Sequence, residues 1–183
     1  APCVPEPDPA EAERLFTFMR LGRPMSFEAC LWHLLLQDDD DGDLSNGTPH
    51  LEGIAAGFER RRIADFAPHL AHAPLRDRVA PQKPDTLRVT AWGVFPLEAV
   101  QLHYRLDGGA LTALTLQAAG GFSGGEPEYL GILPALLSGT RVEYYLSARD
   151  ARGHAATLPA SAPSAWFSFA VGPDATAPSI AHR

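Results

Sequence analysis

Residues 38–50, Asp-Asp-Asp-Asp-Gly-Asp-Leu-Ser-Asn-Gly-Thr-Pro-His, concentrate the side chains best suited to chemistry in this chain. Asp38 to Asp43 place five carboxylates within six positions, and such crowding costs repulsion unless water or a cation screens it. Asp39, Asp41 and Asp43 alternate around Gly42, which invites calcium, a hard cation that takes several carboxylate oxygens. The EF-hand register fails, however. With Gly42 sixth, Gln37 stands first and Thr48 last, where an Asp and a bidentate Glu belong. The other reading of these acids is a solvated loop. His50 follows in the first turn of a helical pattern, where the positive helix end favours a developing negative charge. An imidazole there can make a purely structural bond to the acidic loop. His69-x-x-His72 has the spacing of half a metal site, yet it lies in a Pro-rich stretch without adjacent Cys or acid and reads as incidental. None of the seven histidines is followed by Glu-x-x-His, so the two-histidine zinc helix is absent.

Three helices are expected to position this segment. Asp8-Pro9-Ala10-Glu11 combines an N-cap, a proline at the first helical position and a capping-box glutamate. That helix should run to Leu21 and stop at Gly22. The second starts near Ser26, with Phe27, Cys30, Leu31, Leu34 and Leu35 on one buried stripe, and ends as the Asp run begins, since acids oppose the macrodipole at a helix C-terminus. The third is expected to take Thr48 as N-cap and Pro49 at its first position. Leu51, Ile54, Ala55 and Phe58 form its core face, and Arg60-Arg61-Arg62 sit favourably at its end. Three short helices with such broad apolar stripes look like the edge of something larger.

Residues 65–84 are rich in Pro, Ala and His without a period and read as a linker. Alternation then changes to that of strands: Leu87-Val89-Ala91, Val100-Leu102-Tyr104-Leu106, Leu114-Leu116, Tyr129 to Leu133, Val142-Tyr144-Leu146-Ala148 and Phe167-Phe169-Val171. Asp107-Gly108-Gly109 reads as a tight hairpin turn, and Gly120-Gly121 and Gly124-Gly125 flank a longer loop. Residues 85–172 are therefore expected to form a β-sandwich of immunoglobulin or fibronectin type III kind. Tyr144 and Tyr145 point to opposite faces. His103 and His154 read as surface residues. Trp92 and Trp166 read as sheet packing, or as an exposed aromatic pair for carbohydrate or protein. Ala67-Pro68-His69-Leu70-Ala71-His72 recurs as Ala177-Pro178-Ser179-Ile180-Ala181-His182, so 173–183 read as a linker or the opening of a further module. The fold class is thus α+β in separate parts: a helical segment over 1–64 and an all-β module over 85–172.

Composition narrows the partners. A chain of 183 residues that is 45% hydrophobic can bury a core. A formal charge of −7 opposes nucleic-acid and anionic-membrane surfaces. No apolar run reaches the ~20 residues of a membrane span, and no signal-peptide pattern is visible. The opening Ala1-Pro2-Cys3, without an initiator Met, suggests trimming. Lys83 is the sole lysine, a bias to which no function attaches. Cys3 and Cys30 allow one bridge, worth ~3 kcal/mol in the entropy model; the alternative is a free, buried Cys30.

Asn46-Gly47-Thr48-Pro49-His50, followed by the amphipathic Leu51 to Phe58, resembles the end of a thermolysin-like (gluzincin) metallopeptidase domain, in which an Asn-Gly-x-x-His segment opens a late helix. The resemblance implies that His50 donates a hydrogen bond to the oxyanion formed when zinc-bound water attacks a peptide carbonyl. In that family an acid directly before the Asn orients the histidine. Ser45 holds that place here, and Asp43, two residues earlier, is the expected substitute. Zinc is implied for the larger protein, with its ligands outside this chain, which is expected to be inactive alone. Val142 to Gly153 resembles the late strand and turn of fibronectin-like modules appended to bacterial extracellular enzymes. Together these imply a C-terminal fragment of a secreted bacterial zinc metallopeptidase-like protein. Its partners would be the rest of the polypeptide and, through the sandwich, a protein or carbohydrate surface. The alternative is a non-catalytic extracellular adhesive or structural module that keeps a degenerate peptidase-like cap.

Overall fold

The structure, a computed structural model, describes residues 8–78, 84–123 and 126–172. Cys3, and with it any Cys3–Cys30 bridge, lies outside the described residues, as do 173–183 and the expected further module. The described chain is mostly antiparallel β with three α-helices. None of its helices is long and apolar enough to cross a membrane. The chain divides into two compact units, one formed by 1–68 with 92–97 and 150–154, the other by 69–91, 98–149 and 155–183.

In the first unit, α1 (Pro9–Leu21) begins where sequence places it, with the Asp8 carboxylate accepting the Glu11 N–H at 2.8 Å. It stops at Gly22, and a methyl there would meet the His33 ring of α2, so the close approach requires glycine. Helix α2 (Phe27–Asp38) is capped by Ser26 and buries Leu31, Leu35 and Asp38. Phe27 departs from the expected stripe and is 63% exposed. Helix α3 (Leu51–Glu59) starts later than expected. His50, not Thr48, occupies its N-cap, because Asp38 draws the Thr48 hydroxyl away at 2.6 Å. Leu31, Leu35, Leu51, Ala55, Phe66, Val94 and Phe95 form the core of this unit. At ~1.5–3 kcal/mol for each fully buried large side chain, this cluster is what holds the short helices together. Phe66, Val94 and Phe95 lie beyond residue 64, and supply part of the apolar surface that the helical stripes need.

The second unit holds two antiparallel sheets. Strands β1 (His69–Ala71), β2 (Asp85–Trp92), β6 (Glu126–Leu133) and β5 (Gln117–Ser123) form one sheet in the order β1-β2-β6-β5. The other runs β4 (Thr112–Thr115), β3 (Leu97–Leu106), β7 (Arg141–Asp150), β8 (Ala155–Leu158), with β9 (Phe167–Ala170) also on β7. Strand β8 pairs with residues 146–149 of β7 and β9 with 141–144, sharing the edge. The alternation read from sequence holds: Leu87, Val89, Val100, Leu102, Val142, Tyr144, Leu146 and Ala148 are all buried. Asp107 and Gly108 both take positive φ, with Gly109 N–H donating to Leu106 O at 2.8 Å, as the hairpin motif requires. Three strands escape the sequence patterns. One of them, β1, lies in the segment read as a linker; Arg78 in the same segment bridges in parallel to Val171.

Candidate functional site

The end of α2, the start of α3 and the first turn of α1 meet at one carboxylate. Asp38 continues the Leu31–Leu35 stripe, so helix periodicity turns it inward and leaves it buried. A buried carboxylate must be paired or hydrogen-bonded, and Asp38 uses both oxygens. Oδ2 accepts from the Thr48 hydroxyl at 2.6 Å and from the His50 backbone N–H at 2.7 Å. Oδ1 takes the His50 ring Nδ1 at 2.7 Å. Asp38 therefore caps α3 and fixes its first side chain at once. Burial alone would push the Asp38 carboxyl up; the bonds from Thr48, the His50 ring and the His50 N–H, with the His50 charge, outweigh it and hold it below its usual range. Gly47, at φ +97°, lets the chain turn into this arrangement.

An ionised carboxylate only accepts, so Nδ1 of His50 must carry the proton. Nε2 makes no hydrogen bond among the described residues, and the side chain is 25% exposed. Glu11 on α1 brings a carboxylate oxygen into the same group, with Glu11, Asp38 and His50 offering ligand atoms within 4.8 Å of one another. Arg14 holds both Glu11 oxygens, at 2.6 and 2.9 Å, and this bond lowers the Glu11 carboxyl. The cluster is thus closed by its own bonds except at Nε2.

The carboxylate bonded to the His50 ring is that of Asp38, twelve residues before it, where Asp43 was the expected acid. Asp43 instead donates its backbone N–H to Asp41 Oδ1 at 2.9 Å. The signal for Asp38 was present in sequence, since it falls seven residues after Leu31 on the buried stripe, but the Asp run masked it.

The acidic loop groups differently from the expected alternation. Asp39, Asp40 and Asp41 bring oxygens within 4.8 Å of one another, without Asp43. Asp39 Oδ1 is buried with no hydrogen-bond partner, as a cation ligand would be. Asp41, however, commits its oxygens to Asn46 Nδ2 at 2.8 Å and to the Asp43 N–H, bonds that keep its carboxyl low. Calcium takes six to eight oxygens, and three carboxylates with one already engaged fall short of that set. Zinc of the thermolysin-like kind has no ligand helix in this sequence and is given no step here.

A second Asp–His pair, unforeseen from sequence, lies in the same unit. Asp150 is fully buried; its oxygens accept the Arg152 and His154 N–H groups at 2.9 Å each and the His154 Nδ1 at 2.8 Å. Unlike His50, the His154 ring stacks on Phe95 and Phe66 at 5.6 and 5.9 Å, and its Nε2 faces Glu59 at 3.5 Å. His154, read as a surface residue, is half-buried, with one ring face packed on these aromatics. A cleft of about 480 Å³ at the start of α3 is lined by Asp40, Asn46, Thr48, Glu52, Phe95 and Arg152, and the His50 ring is not in its wall.

On the second unit, His103 stacks on Tyr145 at 4.5 Å and bonds Ser147, while Arg105 lies over Trp166 at 4.6 Å. His72, expected to be incidental, bonds the buried Tyr144 phenol at 2.9 Å.

No family model matches this chain, and no curated protein does. Among solved structures it is similar to a cycloalternan-forming enzyme from Listeria monocytogenes, at 21% identity over 56% of this chain with TM-score 0.40. The chain spans about a tenth of that enzyme's length (10%). It is also similar to a bromine derivative of BhCBM56, at 14% identity over 52% of this chain and 99% of that one, with TM-score 0.33. A titin M10–obscurin-like 1 Ig complex gives 22% identity over 60% of this chain and 95% of that chain, with TM-score 0.31.

Proposed function

We propose that this chain joins the edge of a thermolysin-like metallopeptidase domain of a secreted bacterial protein to an immunoglobulin- or fibronectin-like sandwich that positions the enzyme or contacts its substrate or surroundings. The observation that carries the reading is the Asp38–His50 pair at the opening of the Asn-Gly-x-x-His helix. With Nδ1–H held by Asp38, a doubly protonated ring would keep Nε2–H to donate. That proton can bond the oxygen that gains negative charge when water adds to a peptide carbonyl, and the nearby carboxylate balances the imidazolium. The metal that would polarise the carbonyl and lower the pKa of the water belongs to residues outside this chain.

A second observation supports a larger domain. Phe16, Leu21, Met25 and Phe27 on α1, α2 and their link are 54%, 71%, 96% and 63% exposed. So much apolar surface on one helical pair suits burial against another part of the same polypeptide. Extracellular location follows from the resemblance alone. Alone, the chain should neither cleave protein nor need zinc.

The test uses the polypeptide that joins this chain to the sequence encoded before Ala1. That sequence should contain a His-Glu-x-x-His helix, and the whole should cleave casein in a chelator-sensitive way. His50→Ala should lower kcat about 10²–10³-fold with KM little changed, the usual loss for one oxyanion donor. Full activity in His50→Ala would contradict the reading. Absence of the zinc helix would favour the adhesive-module alternative.

A further inference from the structure

We propose that His72 and Tyr144 form a pH-sensitive latch that fastens the segment 69–78 to the β unit and releases it on acidification. The direction of every hydrogen bond in the latch is fixed by chemistry. The Leu75 backbone N–H can only donate, and it donates to the Tyr144 phenol oxygen at 2.9 Å. The Arg88 carbonyl can only accept, so His72 Nδ1, at 2.8 Å from it, carries a proton. His72 Nε2 lies 2.9 Å from the Tyr144 phenol oxygen. The phenol already accepts from Leu75 and has one proton to give, and the neutral ring has one lone pair to receive it. Three groups are satisfied in a single arrangement, with His72 neutral and Tyr144 fully buried.

A second proton on His72 breaks that arrangement. Nε2–H and the phenol O–H would then face each other across 2.9 Å. The phenol must rotate, and its proton then loses its acceptor in a buried site, a costly outcome. No neighbour compensates the new charge. Strand β7 presents Tyr144, β9 presents the edge of Phe167 at 6.0 Å, and β2 presents the Arg88 carbonyl. The Arg88 guanidinium is held by Glu128 of β6 at 2.8 Å, so that carboxylate already has a cation. Within the segment, the Asp77 carboxylate accepts the Ala170 N–H at 2.8 Å, and Arg78 lies over Phe169 at 4.5 Å. No carboxylate bonds the His72 ring among the described residues. Burial holds the ring below the ordinary imidazole range.

The sign follows from that depression. The folded state prefers neutral His72, so the stabilisation is complete above the ordinary histidine pKa of ~6.5 and is lost as pH falls from there towards the folded value. The release is local. Arg78 stays hydrogen-bonded to Ala170 and Gly172 at 3.1 and 3.0 Å, so the far end of the segment remains tied. Residues 69–75 lift, β2 loses its outer partner β1, and a strand edge becomes available for pairing.

Amide hydrogen exchange at Leu75, relative to its intrinsic rate, reads the latch in the full 183-residue chain. Between pH 7 and 5 its protection should fall by up to about tenfold per pH unit, the slope for one proton, while the amide of Leu102 in the core stays unchanged. His72→Gln, which keeps a donor and an acceptor but cannot titrate, should abolish that dependence. Tyr144→Phe should remove Leu75 protection at every pH; should that variant not fold, the His72→Gln comparison decides alone. Leu75 protection that is flat with pH in the natural chain, or an unchanged slope in His72→Gln, would overturn the proposal.

Discussion

The two units treat the same side chain in opposite ways. In the helical unit, His50 and His154 each bond a buried aspartate through Nδ1. In the β unit, His72 bonds a phenol and a carbonyl, and burial holds its ring below the ordinary imidazole range. Asp38 has a depressed carboxyl, so its contribution is complete above an ordinary aspartate pKa of ~3.9 and fades only as pH falls below that. The His72 latch fades below ~6.5. Mild acid should therefore loosen the edge of the β unit well before it touches the α2–α3 junction.

The comparison breaks most visibly by truncation. Residues 69–172 should melt cooperatively, because they keep β1, the latch and the Asp77 and Arg78 contacts with β9 and its end. Residues 85–172 leave the Tyr144 phenol without either partner, at ~1–3 kcal/mol for the orphaned group alone, and lose an edge strand. They should show no sharp thermal transition by circular dichroism. Equal melting temperatures for the two fragments would show that the segment is dispensable.

A smaller effect should come from Asp38→Asn in the full chain. The amide keeps the shape but cannot accept three donors as a carboxylate does, at a cost of about 2–4 kcal/mol. The helical signal at 222 nm should melt at lower temperature and lose its dependence on pH below ~3.9. Leu75 protection should remain as in the natural chain. A variant that also loosens Leu75 would mean that the two regions are not independent, contrary to the comparison.

Much of this was legible in sequence, and the failures share a cause. The caps of α1 and α2, the Asp107-Gly108 turn and six strands follow from local patterns that the structure keeps. Strands β1, β5 and β8 have almost no apolar alternation; five of the seven residues from Gln117 to Ser123 are Ala, Gly or Ser, and the stretch reads as loop. They exist because a neighbour needs an edge, and that is tertiary information. The buried aspartates lie between these cases. Asp38 stands seven after Leu31 on a helical stripe, and Asp150 ends the run Val142, Tyr144, Leu146, Ala148 on the inward face of β7. Each was placed inside by its period, and hidden by the assumption that acids face water. Their histidine partners, twelve and four residues away, were not legible, because the pairing depends on how α3 and the turn at Gly153 return to them.

The Asp38–His50 bond fixes which nitrogen of His50 carries the proton. Two-bond proton–nitrogen correlation on the ¹⁵N-labelled chain, at a pH where the ring is neutral, reads it directly. Asp38 should hold the proton on Nδ1, with Nε2 showing the shift of an unprotonated ring nitrogen. A ring protonated on Nε2 would contradict the Asp38–His50 bond, and with it the reading of this helix start as part of a catalytic site.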